Sequence, residues 1–145
     1  MRKRRKSREF ALQVLYQLNI TQQDVNKTLA QFQDHFSGGD ERDDFMEHLV
    51  NGVMDHCQEI DRLIEKYSEN WRLDRMNMID RTILRIATFE LLYCEEIPPK
   101  VTMNEAIELG KRFGSEDSGS FINGILDRIQ KEAVRKPIQA KPIAR

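Results

Sequence analysis

Apolar residues recur along this chain at spacings of three and four, and the strict alternation that marks a strand is absent. Ala11, Val14, Leu15 and Leu18 form one stripe and predict a helix over about residues 5–20, with Arg5, Leu12 and Tyr16 on a different face. Asp24 is a good N-cap for a second helix reaching Phe36, with Val25, Leu29, Phe32 and Phe36 as its stripe. Ser37-Gly38-Gly39-Asp40 then breaks the chain. From Asp43 to Tyr67 the period is kept by Phe45, Leu49, Val53, Cys57, Ile60, Ile64 and Tyr67, which gives one long helix or two with a bend. Gly52 allows a close helix crossing there, and Trp71 in the following connection is placed to plug the core.

The densest stretch is Ile79 to Gly124. Between Ile79 and Tyr93 apolar residues fill well over half the helical circumference, and only Arg81, Arg85 and Thr88 mark a polar strip. A helix apolar over so much of its girth is packed on several sides, so it is the expected hub. Asp80 and Glu90 fall inside the apolar arc, and each must be paired or lie at an interface, because an unpaired buried carboxylate is costly. Pro98-Pro99 stops this helix. Thr102 and Glu105 read as the capping box of the next one, whose buried stripe is Met103, Ala106, Ile107, Gly110 and Phe113, with Gly114 as its C-terminal stop. A last helix opens after Ser115-Glu116-Asp117-Ser118, with Ile122, Ile125, Leu126, Ile129 and Ala133 as its core line and Phe121 on the margin. The expected organisation is a basic arm over 1–8, one helical domain over 5–135 and a flexible tail over 136–145.

Charge changes the picture more than composition does. The net charge is −1, but Arg2, Lys3, Arg4, Arg5, Lys6 and Arg8 supply six of the 23 basic residues, leaving 17 against 24 acidic ones in the body. A basic arm on an acidic body suits a localised anionic partner. The arm is either a solvated tail or a strip that contacts nucleic-acid phosphates. Tyr16, in line with Arg5, is either core or contact surface, and Phe121 either packs inside or stacks on a base. Cys57 and Cys94 are solitary, and the three histidines show no metal-ligand spacing, so neither metal nor cofactor is expected and a reduced, cytoplasmic setting fits. No apolar run is long enough to span a bilayer. No phosphate-cradling glycine loop or catalytic constellation is present, so the expectation is a binding protein rather than an enzyme.

Three segments carry a resemblance: Ala11-Leu12-Gln13-Val14-Leu15-Tyr16, Ile83-Leu84-Arg85-Ile86-Ala87 with Glu90-Leu91, and Asn104-Glu105-Ala106-Ile107-Glu108-Leu109 through Phe121-Ile122-Asn123-Gly124-Ile125-Leu126-Asp127. On these the chain resembles the NusB family of transcription antitermination factors. The resemblance implies an all-α fold, a single compact bundle of about seven helices in two packed sub-bundles. It implies binding to the boxA sequence of nascent ribosomal RNA together with NusE, a ribosomal small-subunit protein in a second role, so that RNA polymerase reads through terminators. It places RNA contacts at Arg4, Arg5, Lys6 and Arg8 and at Glu116, Asp117, Ser118 and Phe121, and the NusE side at Tyr16, Asp80 and Arg85. Asp80 is often glutamate in the family, which shortens its reach here, and Gly119 supplies no side chain for a contact after Ser118. Two other readings stand beside this one: an accessory RNA-binding subunit of a ribosomal RNA methyltransferase, whose catalytic subunit would be a separate chain, and a helical dimer used as a scaffold.

Overall fold

A computed structural model describes residues 2–36, 43–69 and 72–134, apart from the side chains of residues 2 and 34–36. The Ser37–Asp40 break, Trp71, the Phe36 side chain and the 136–145 tail lie outside the described residues. Among the described residues seven α-helices follow one another: α1 (Arg2–Thr21), α2 (Val25–Phe36), α3 (Asp44–Asp55), α4 (Cys57–Tyr67), α5 (Met78–Tyr93), α6 (Pro99–Phe113) and α7 (Ser118–Ile129). A short 3-10 turn at Leu73–Arg75 precedes α5, and a π-helical turn at Gln130–Val134 extends α7. Among the described residues there is no strand.

α5 is the hub, packed on α1, α3, α4, α6 and α7. Ten of its 16 residues are buried, including Ile83, Leu84, Ile86 and Phe89. Thr88, read from sequence as part of a polar strip, is wholly buried, so that strip narrows to Arg81 and Arg85. Asn77 caps the helix, its side-chain oxygen accepting from the Asp80 backbone N–H at 2.8 Å. The Asp43–Tyr67 stretch is two helices, broken at His56, with Asp43 capping the first by accepting from the Met46 N–H at 2.9 Å. Gly52 sits where α3 meets α5, and a Cβ there would lie 2.1 Å from the Phe89 ring. G52A is therefore expected to cost about 1–3 kcal/mol through overpacking, read as a lower urea midpoint with an unchanged slope.

The expected capping box of α6 is not formed. Pro98 is the N-cap and Pro99 the first helical residue, where the missing N–H costs nothing and the fixed φ suits the helix. Thr102 and Glu105 thus lie inside the helix, and tertiary partners take both side chains: Thr102 Oγ1 donates to Glu90 Oε1 at 2.8 Å, and Glu105 accepts from Arg5. Gly114 ends α6 with extended backbone rather than a left-handed turn. Its role is space, since a Cβ would stand 2.3 Å from Ser118 Oγ. Gly110 similarly lets α6 approach α7, with a would-be Cβ 2.9 Å from Ile122 Cδ1.

Candidate nucleic-acid interface

The basic stretch at the chain's start is the first part of α1. Consecutive cations at a helix N-terminus oppose the helix dipole, so something else must hold this end in place. Four carboxylates do so. Arg5 forms a bidentate pair with Glu105 of α6, Nε to Oε1 at 3.0 Å and Nη2 to Oε2 at 2.8 Å. Hydrogen bonding from Arg5, reinforced by its positive charge and opposed by burial, holds the Glu105 carboxyl below the usual glutamate range, so the tether persists at neutral pH and is released only as pH falls through that lowered value. Ser7 Oγ donates to Asp43 (2.7 Å to Oδ1), docking α1 on the start of α3. Glu9, whose side chain is 8% exposed, accepts from Arg112 in the last turn of α6 and lies 3.9 Å from Lys6. Arg8 pairs with Glu90 of the hub, Nε to Oε2 and Nη2 to Oε1, both at 2.8 Å. An aromatic completes the set: the guanidinium carbons of Arg4 and Arg8 lie 4.5 and 5.3 Å from the centre of the Phe45 ring.

The resulting surface has carboxylates below and cations above. Arg4, Arg5, Lys6, Lys111 and Arg112 are exposed, while Glu9 is buried and Glu105 half-buried. The Arg112–Glu9 pair joins the first part of α1 to the end of α6, beside the Ser115–Ser118 turn. In that turn Glu116 and Asp117 are exposed. Gly119 is buried, and a Cβ there would meet Ile107 Cγ2 and Lys111 Cγ, both at 3.5 Å. Phe121 is half-buried against the core.

Two of the residues expected to contact RNA are enclosed, which revises their part. The Arg8 and Glu90 side chains are 4% and 1% exposed, so this arginine neutralises a core carboxylate and is spent within the fold. Ser118 is buried, and its Oγ accepts from the Ser115 N–H at 2.8 Å, closing the turn. Sequence reasoning missed Phe45, Glu9, Arg112 and the Arg5–Glu105 pair. A faint signal existed for one of them: Glu105 and Arg112 are seven residues apart, on one face of α6.

Of the three residues expected on the protein-partner side, Arg85 lines a groove, whereas Tyr16 and Asp80 are not among its lining residues. Leu15, Leu18 and Asn19 of α1, Val53 and Met54 of α3, Cys57 of α4 and Thr82 and Arg85 of α5 line this groove of ≈ 370 Å³. Arg85 is anchored by Asp61 of α4, Nε to Oδ1 at 2.8 Å and Nη2 to Oδ2 at 2.9 Å. Tyr16 is exposed on α1. Asp80 is buried, and its carboxylate accepts from Asn77 Nδ2 at 3.1 Å, so it secures the start of α5 rather than reaching outward. Both cysteines are free thiols, and burial pushes Cys94 up to about 12, which keeps it protonated at neutral pH. Among the described residues no cluster of histidine, cysteine or acidic groups suits a metal ion, and no helix is long and apolar enough to cross a membrane.

The comparisons with known proteins agree with one another. Residues 5–131 match the sequence profile described as the NusB family. The transcription antitermination protein NusB of Syntrophus aciditrophicus is 48% identical over 136 residues, covering 94% of this chain and 84% of that protein. The protein of the same name from Bacillus subtilis is 44% identical over 130 residues, covering 90% and 96%. Among solved structures, NusB of T. maritima superposes with a TM-score of 0.79 at 38% identity, covering 89% of this chain and 91% of that one. A structure of the antitermination factors NusB and NusE in complex with double-stranded RNA gives a TM-score of 0.77 at 28% identity, covering 90% and 98%.

Proposed function

Because the chain belongs to the NusB family, we propose that it is a transcription antitermination factor, binding boxA-type RNA in nascent ribosomal RNA transcripts together with NusE and helping RNA polymerase read through terminators. The observation that carries the RNA part is the carboxylate-backed cation layer on α1 and α6. Arg4, Arg5 and Lys6 are pre-oriented and exposed at the positive end of a helix, an arrangement suited to phosphate oxygens. Phosphate contacts give register and affinity but carry no sequence information. Base selection falls to Glu116 and Asp117, whose carboxylates accept from exocyclic amino groups, and to the open part of the Phe121 ring. Arg8 and Ser118 act behind this surface by holding α1 and the α6–α7 turn in place.

NusE is assigned to the groove side, with Arg85 in the groove wall, Tyr16 exposed on α1 and Asp80 fixing the start of α5. An excess of acidic residues outside the first part of α1 favours a basic ribosomal protein there. The role is one of binding rather than catalysis, exercised in the cytoplasm where transcripts emerge. Fluorescence anisotropy of labelled boxA RNA, with and without NusE, tests this. The expected result is tighter binding to boxA than to a scrambled RNA, most clearly with NusE present, whereas equal affinity for both RNAs in the presence of NusE overturns it.

A further inference from the structure

Phe113 is expected from its spacing to be core, yet it is 39% exposed. α6 ends at that residue and Gly114 follows with extended backbone, so no further turn of the helix covers the ring. Among the described residues the other large exposed apolar side chains lie elsewhere or are engaged: Met54 lines the groove, and the Tyr93 ring stacks on His56 with centroids 4.2 Å apart. Phe113 stands instead at the cationic face. The Arg112 guanidinium carbon lies 5.1 Å from the centre of its ring. Arg112 is itself 54% exposed and tied by Glu9 to the helix that carries Arg4, Arg5 and Lys6. Glu9 also lies 3.9 Å from Lys6, so one enclosed carboxylate sets the spacing of two surface cations.

We propose that Phe113 and Arg112 form a nucleotide subsite on the RNA face, the phenyl ring stacking on one base of a single-stranded segment and the guanidinium binding the adjoining phosphate. The proposal rests on the RNA reading above. An exposed ring flanked by a fixed cation is the chemistry that single strands select, because every base offers a π-face and the backbone supplies the anion. Glu9 is a positioning residue here, since it holds Arg112 without reaching solvent itself. The ring adds to the Phe121 contact, the two phenylalanines preceding and following the Ser115–Ser118 turn in the chain.

The two contacts leave different signatures, which makes the assignment testable with the full chain and a labelled boxA RNA in the presence of NusE. F113A is expected to weaken binding about 5- to 150-fold while leaving the slope of log K against log salt unchanged, because stacking releases no counterions. F113L keeps the apolar bulk and is expected to lose most of the same affinity, and F113W to retain it. R112Q is expected to make the slope shallower by about 0.7. Thermal melts and NusE binding should match the parent protein, since the ring is exposed and is not among the groove's lining residues. Full affinity in F113A and F113L, while alanines at Arg4, Arg5 and Lys6 still weaken binding, overturns the subsite and leaves the RNA reading standing. Full affinity in both sets overturns both, and loss of NusE binding or of folding in F113L overturns the local assignment.

Discussion

Replacing Arg8 with alanine is expected to destabilise the fold by about 3–5 kcal/mol, because it strands a carboxylate in the core. The Glu90 side chain is 1% exposed, and Arg8 supplies two of its three hydrogen bonds, the third coming from Thr102. Urea denaturation of R8A measures this directly, and a fall in melting temperature of roughly 10–20 °C should accompany it. R8K keeps the charge but loses the bidentate fork, so an intermediate loss is expected. The double variant R8M/E90L should recover much of the R8A loss, since an apolar pair of similar volume is tolerated where a lone buried charge is not. An R8A stability within about 1 kcal/mol of the parent would contradict the buried-pair account. The same experiment separates structure from recognition: any weakening of RNA binding in R8A should track its loss of folded protein.

The second large effect belongs to the surface cations. Alanine at Arg4, Arg5 and Lys6 together should make the salt dependence of RNA binding shallower by about 2, at roughly 0.7 for each single-strand phosphate left without its cation. Near 0.15 M salt that corresponds to an affinity roughly 50-fold lower. Folding should hardly change, because all three side chains are exposed, and exposed ion pairs such as Arg5–Glu105 contribute little. Anisotropy titrations at several salt concentrations, with boxA and scrambled RNA, check both numbers. The weakening should be similar for the two RNAs, because phosphate contacts carry no sequence information. An unchanged slope would remove these cations from the interface.

What the sequence made legible was local. The hub was visible because Ile83, Leu84, Ile86 and Phe89 leave almost no polar arc, and its stop was written in Pro98-Pro99. Gly52 could be read as a close crossing for the same reason. The demand that Glu90 find a partner was legible too, but the partner was not: Arg8 lies 82 positions away and looks like one more base in a solvated run. Thr102 and Glu105 fit a capping pattern by spacing, yet their side chains are claimed by Glu90 and Arg5, contacts that only tertiary packing creates. Asp80 reads as a reaching carboxylate until its own cap partner, Asn77, is seen to hold it. Phe113 was misplaced although the Gly114 stop was legible, because spacing alone does not say whether the last ring of a stripe is covered by a neighbouring element. The cation layer was half legible: the first part of α1 is plain in the charge pattern, whereas Arg112 joins it only through Glu9, 103 residues earlier in the chain.

RNA binding as proposed requires α1's first turns and the α6–α7 turn to make one continuous surface, distinct from the groove beside Arg85. Amide chemical-shift mapping tests this most directly, with isotope-labelled protein bound to NusE and titrated with boxA RNA. The predicted result is a set of shifts concentrated at residues 3–6 and 111–121, while Leu15, Asn19, Met54 and Arg85 stay at their NusE-bound positions. Shifts centred on the groove, with Arg4, Arg5, Asp117 and Phe121 unmoved, would contradict it.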